Sequence, residues 1–156
     1  MRVLAIGAHP DDIEIACSGT LAKCVKRGDK VIVCHASTGN LGHVIIPPDE
    51  LTKIRKKEAE RAGSLAGIEV IGGMFNDLDI FDNNKAARDK MVEVIKYAQP
   101  DFIITHNPDD YMPDHTAVSR LVFDASFTAT LPNYKCGGEK AAKLVPIYYM
   151  DTLAGV

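Results

Sequence analysis

Val3-Leu4-Ala5-Ile6-Gly7-Ala8-His9-Pro10-Asp11-Asp12-Ile13-Glu14 opens as an apolar run and then breaks, within a few residues, into one imidazole and three carboxylates. The apolar part, over 2–7, has the length and branching of a buried strand, and the segment over 14–27 has the period of an amphipathic helix. The same alternation recurs along the chain. Strands are predicted over 2–7, 30–36, 68–72, 101–105 and 145–150, and helices over 14–27, 49–66, 84–98 and 115–129. Short strands alternating with longer helices are the sign of βαβ units on a parallel sheet, an α/β fold.

The boundaries have chemical causes. Gly28-Asp29 stops the first helix, Pro48 precedes the second, Gly67 ends it and Pro100 closes the third. The fourth helix carries an apolar stripe, Val118, Leu121, Val122, Ala125 and Ala129, that should dock on the sheet. The loops over 8–13, 37–48, 73–83 and 106–114 all leave strands at the carboxyl edge, where open α/β sheets bind ligands. In a doubly wound sheet the chain reverses after strand three and lays strand four beside strand one. The cluster after strand one then meets the cluster that ends strand four and leads into the fourth helix, His106-Asn107-Pro108-Asp109-Asp110-Tyr111-Met112-Pro113-Asp114-His115.

So dense a group of charges is unfavourable without a cation. His9 and Asp12 lie three apart across a turn stiffened by Pro10, so both can face one centre while Asp11 points elsewhere. With His115 they make two imidazoles and one carboxylate with an open fourth position, a set typical of catalytic zinc; iron or cobalt suit the same ligands. Zinc so held acidifies water to roughly pKa 7 and polarises a carbonyl, and Asp11 is placed to move the proton. Plainer readings compete. Asp11 or Asp12 could cap the first helix, and His115 could be a first-turn histidine paired with Asp114.

Arg55 lies on or beside the apolar stripe of the second helix, where it either clamps substrate oxygens or a carboxylate neighbour, or pairs with Glu58 one turn on. His35 and His43 fall where they could line the cleft, or be incidental. Gly39-Asn40-Leu41-Gly42 matches no phosphate-binding pattern, and there is no G-x-S-x-G elbow or cysteine beside a partner histidine, so nucleotide binding and covalent catalysis are unsupported. The net charge of -3 over 156 residues argues against nucleic acid and points to a small-molecule substrate. The run Val3 to Ala8 is too short for a signal segment and no stretch reaches a membrane span. The unpaired spacing of Cys17, Cys24, Cys34 and Cys136 suits buried free thiols in a reducing cytoplasm.

Ala8-His9-Pro10-Asp11-Asp12-Ile13-Glu14 resembles the A-H-P-D-D-x-E signature of the LmbE/PIG-L type zinc N-deacetylases, and Pro113-Asp114-His115 resembles its second motif. Arg55-Lys56-Lys57-Glu58-Ala59 falls in the matching place on the second helix, so the similarity runs along nearly the whole chain. The resemblance implies one deacetylase domain over 1–156, a Rossmann-like three-layer sandwich and a mainly parallel sheet of order 3-2-1-4-5. It implies zinc on His9, Asp12 and His115, Asp11 as general base, Asp114 orienting a neighbouring group, and Arg55 near the substrate. The substrate class it implies is an N-acetylglucosamine-like amide. A cytoplasmic homo-oligomer is expected, with neither nucleic acid nor membrane as partner.

Two departures qualify the resemblance. Met112 stands where many members carry a histidine credited with stabilising the oxyanion or protonating the leaving amine, and a thioether gives no proton. That task then passes to zinc, Asp11, or a donor such as His106 or Tyr111. The chain also stops at Leu153-Ala154-Gly155-Val156, short of the family's usual C-terminal portion. These departures favour, as the alternative, a metal-binding module that recognises a ligand without turning it over.

Overall fold

The computed structural model describes residues 1–138 and 140–152; the expected stop at 153–156 lies outside the described residues. Strands β1 (Arg2–Gly7), β2 (Lys30–Ser37), β3 (Glu69–Phe75), β4 (Phe102–Thr105) and β5 (Ile147–Tyr149) form one sheet in the order β3-β2-β1-β4-β5. Every pairing is parallel, so the reversal after β3 brings β4 beside β1 as the winding requires. Helices α1 (Asp12–Lys26), α2 (Pro48–Ala66), α3 (Lys85–Ala98) and α4 (Pro113–Thr128) cover the two faces.

Alternate residues of the central strands feed two separate cores, since successive side chains of a strand point to opposite faces. Leu4, Ile6, Ile32, Cys34 and Ile103 pack with α3 and α4, through Met91, Ile95, Val118, Leu121 and Val122. Val3, Ala5, Val31, Val33 and Ile104 pack on the other face with Ile13, Leu21 and Cys24 of α1. The predicted stripe of α4 is fully buried. All four cysteines are free, Cys24 and Cys34 buried and Cys17 and Cys136 half-buried. Among the described residues no helix is long and apolar enough to cross a membrane.

Four boundaries differ from expectation by two residues or more. β3 runs to Phe75 rather than 72, because Gly72 does not end it: its φ of 131° carries the strand past a register shift opposite His35 and Ser37. A Cβ on Gly72 would stand 1.9 Å from the His35 carbonyl oxygen, so no other residue fits. β5 begins at Ile147, after Pro146, which has no N–H for the ladder. α1 and α4 begin two residues earlier than predicted, at Asp12 and Pro113, with Pro113 preset for the first helical position. Asp12 and His115 therefore sit on first helical turns.

Candidate metal centre

β1 ends at Gly7, and the carbonyl of His9 accepts the N–H groups of Asp11 (2.9 Å) and Asp12 (3.4 Å), closing a tight turn into α1. Asp12 Oδ2 reaches back to accept the His9 backbone N–H at 2.7 Å, which folds both side chains to one side as their spacing predicts. Asp11, in the N-cap position, makes no capping hydrogen bond, so the plain helix-cap reading of this turn does not hold. Its carboxylate is 45% exposed and lies 3.6 Å from Arg55 Nη2.

From the other side of the switch point, α4 brings His115 Nε2 to 3.3 Å from Asp12 Oδ1, and the His9 and His115 rings stand 5.5 Å apart. Donor atoms of His9, Asp12 and His115 lie within 4.8 Å of one another, a spacing one cation can span. The residues fit such an ion by a second sign. Both ring nitrogens of His115 are buried and neither completes a hydrogen bond, a state that costs about 1–3 kcal/mol per group unless a further partner takes them. Asp114 pairs with His9 Nε2 at 2.9 Å rather than with its neighbour His115, which removes the plainer reading of His115.

His106, Asp110 and His115 also bring donor atoms within 4.8 Å. The geometry disfavours that set as a chelate: the His106 and His115 rings stack at 3.8 Å and 16°, so their in-plane lone pairs run side by side and do not converge. His106 Nε2 accepts the Ala8 N–H at 2.9 Å and stands 3.2 Å from Asp12 Oδ2. That nitrogen is already spent on the backbone.

The charges are strongly coupled. Burial alone would lower the His9 pKa, but Asp12 and Asp114 outweigh it and raise it to about 9. Burial likewise works against the charged form of Asp12, yet contacts with His106, His115 and His9 hold it far below the usual carboxylate range. His115 is raised, its burial outweighed by Asp12 and Asp110, whereas burial pushes His106 down.

Loop residues that carry no signal in the sequence brace the site. Asp77, buried, accepts Ser37 Oγ (2.7 Å), the Gly39 N–H (2.9 Å) and the Leu41 N–H (2.9 Å), tying the loop after β2 to the loop after β3. The next residue, Leu78, adopts the left-handed region at φ 61° and donates its N–H to Asp114 Oδ2 at 2.8 Å. Asp114 Oδ2 is thus held by the Leu78 N–H as well as by the His9 ring. Glu14, noted in the sequence only as one of the turn's carboxylates, lies 3.1 Å from buried His35 Nε2 and pins the first turn of α1 to β2; the contact lowers the Glu14 pKa against the opposing effect of burial. His43 turns inward on its own loop, its Nδ1 accepting the N–H groups of Ile45 and Ile46.

Arg55 lies 3.6 Å from Asp11 and 3.8 Å from Glu58, so the pairing with Glu58 one turn on is present at long range. Neither distance saturates a guanidinium, and its side chain is about a quarter exposed. It borders a groove of ≈ 310 Å³ between α2 and the β2–β3 edge, shared with Pro10, Thr38, Thr52 and Lys56. Tyr111 is half exposed at the mouth, its ring 6.2 Å from that of His115.

Comparison with known proteins gives one consistent frame. The family described as PIG-L: GlcNAc-PI de-N-acetylase matches residues 4–126. The chain is 28% identical over 155 residues to 4-oxalmesaconate hydratase of Pseudomonas putida, covering 95% of this chain and 60% of that protein. It is 27% identical over 158 residues to 1D-myo-inositol 2-acetamido-2-deoxy-alpha-D-glucopyranoside deacetylase of Corynebacterium diphtheriae, covering 84% and 54%. The chain thus spans between half and two thirds of the length of these curated relatives. A crystal structure of a conserved protein from Thermus thermophilus superposes with a TM-score of 0.84 at 25% identity, over 96% of this chain and 66% of that one.

Proposed function

We propose, from the premise that this chain belongs to the PIG-L family, that it hydrolyses the N-acetyl amide of an amino-sugar-like small molecule with one zinc ion on His9, Asp12 and His115. The observation that carries this reading is His115, whose two buried ring nitrogens lack hydrogen-bond partners while facing two carboxylates and the His9 ring. Zinc in that position supplies Lewis acidity, lowering the pKa of water toward about 7 and polarising the acyl carbonyl. Asp11, free of any capping bond and open to solvent, takes the proton from the attacking water. Arg55 holds the Asp11 carboxylate on one side and offers its remaining donors to substrate oxygens along the groove. Asp114 acts without touching substrate: it fixes the His9 ring through Nε2.

The departing amine needs a proton, and Met112 has none to give. Asp11 can return the one it took, and Tyr111 at the mouth is the nearest hydroxyl donor of the second cluster. For His106 we propose a narrower part than substrate binding. Because its Nε2 accepts the Ala8 N–H, it supports the turn that carries His9 and Asp12 and is badly placed to donate to an oxyanion. Acetate and a free amine are the products. The free thiols Cys24 and Cys34 support a reducing, cytoplasmic setting for this chemistry, and assembly from several copies of the chain is part of the same proposal.

The test separates ligand from base. Asp12→Asn should bind zinc more weakly, while Asp11→Asn should keep zinc and lose about 10²-fold or more of acetate release from N-acetylglucosamine-type compounds. Equal metal loss in both variants would contradict the assignment. A second reading, water addition across an unsaturated carboxylate, is favoured by the similarity to the Pseudomonas putida hydratase over 95% of the chain. Zinc binding with no acetate release but with loss of enoate absorbance would select it. Zinc binding with neither reaction would leave a ligand-recognition module.

A further inference from the structure

We infer that Asp110 is a positioning residue, which directs Nδ1 of His115 toward itself so that Nε2 is the nitrogen offered to the cation. The inference rests on the metal-centre reading above and assigns a part to a side chain that is absent from the ligand set. Its carboxylate is nearly inaccessible, at 4% exposure, although the loop that carries it is not. One oxygen, Oδ1, accepts the Met112 N–H at 3.0 Å, an Asx turn that closes two residues onward. The other, Oδ2, stands 3.1 Å from His115 Nδ1.

Two constraints are needed to aim an imidazole, and the structure provides them separately. The stack against His106 at 3.8 Å sets the plane of the His115 ring. A stack is indifferent to rotation within that plane and to which nitrogen carries the proton. Asp110 removes that freedom: a carboxylate accepts and cannot donate, so it favours the tautomer with hydrogen on Nδ1 and the lone pair on Nε2. Nε2 is the atom that lies 3.3 Å from Asp12 Oδ1, on the side of His9. The contact from Nδ1 to Asp110 is short but not in line for a hydrogen bond, so both nitrogens of the ring remain unsatisfied. A cation on Nε2 and the Asp110 carboxylate on Nδ1 satisfy both with one small in-plane turn of the ring. Histidines that bind metals are regularly backed by a carboxylate in this way. His9 has the same arrangement already in line, with Asp114 at 2.9 Å.

The arrangement also gives Met112 a use. Its contribution to the site is the backbone N–H that anchors Asp110, which any residue except proline supplies, and so the side chain at 112 is released from a role in holding the ligand. Met112 caps α4 with extended backbone, and that conformation presents the N–H toward Asp110.

Zinc affinity, measured by competition with a chromophoric chelator, and the visible spectrum of the cobalt-substituted protein test this directly. Asp110→Ala should bind zinc about 10- to 100-fold more weakly and alter the cobalt bands. Asp110→Asn, which keeps an acceptor oxygen, should bind more tightly than the alanine variant, with the melting temperature of the metal-free protein showing that both fold. Alanine and wild-type proteins with equal zinc affinity and identical cobalt spectra would overturn the inference and leave the metal centre standing. Loss of a second equivalent of metal with the first intact would also overturn it, by making Asp110 a ligand with His106. If wild-type protein binds no zinc at all, the metal-centre reading falls, and the inference falls with it.

Discussion

At the scale of single residues, the imidazoles and carboxylates of the cleft set one another's charge. His9 ordinarily titrates near 6.5 and is raised to about 9 in the folded, metal-free protein, because Asp12 and Asp114 outweigh its burial. A metal ligand must give up its proton, so apparent zinc affinity should climb with pH through the interval from about 6.5 to 9 and level off above it. Chelator competition across that range checks this; a flat profile would mean that His9 is not a ligand. In the metal-free protein the sign reverses for stability. A raised folded pKa contributes stability that is complete below about 6.5 and is lost as the pH passes 9. The candidates His9 and Asp12 stand out by their spacing, because a short charged turn after a strand has few other uses, and His115 by the second cluster that the winding brings beside that turn. Asp77 and Asp110 do not. Each accepts backbone N–H or hydroxyl groups from residues remote in sequence or across a turn, and an aspartate in a loop carries no periodicity to betray that.

Elements decide where those residues stand. The sequence pattern starts α1 and α4 two residues late, since their polar first turns look like loop until the backbone is seen. The difference matters chemically, because it is the first turns that hold Asp12 and His115. The pattern ends β3 too soon for a related reason: Gly72-Gly73 resembles a strand terminator, and only the contact with β2 shows it to be a bulge that the strand passes through. Gly72→Ala should therefore be severely destabilising, by roughly 3 kcal/mol or more, since the added carbon meets backbone at 1.9 Å and the φ of 131° is itself strained. Denaturant unfolding would measure it, and a change below about 1 kcal/mol would show that the bulge can relax. Gly138, where a Cβ meets nothing within 4 Å, offers a control with positive φ but open space.

For the molecule as a whole, strand order is the most legible feature. Parallel βαβ winding leaves few arrangements, and the one with a reversal after the third strand is the one found. A ligand that binds only the folded protein stabilises it in proportion to the logarithm of its saturation. Zinc at 100 times its dissociation constant should add about 2.7 kcal/mol, and chelation should lower the melting temperature by about 5–10 °C. Calorimetry with and without chelator checks this; identical transitions would argue against a resident metal. The two faces of the sheet carry separate apolar clusters, α1 on one and α4 on the other. His9 and Asp12 lead into or begin α1, while His115 rides on α4, so an ion shared among them would act as a rivet through the end of the sheet. Amide hydrogens of both layers would then exchange more slowly together when it is in place, and the layers would breathe independently once it is withdrawn.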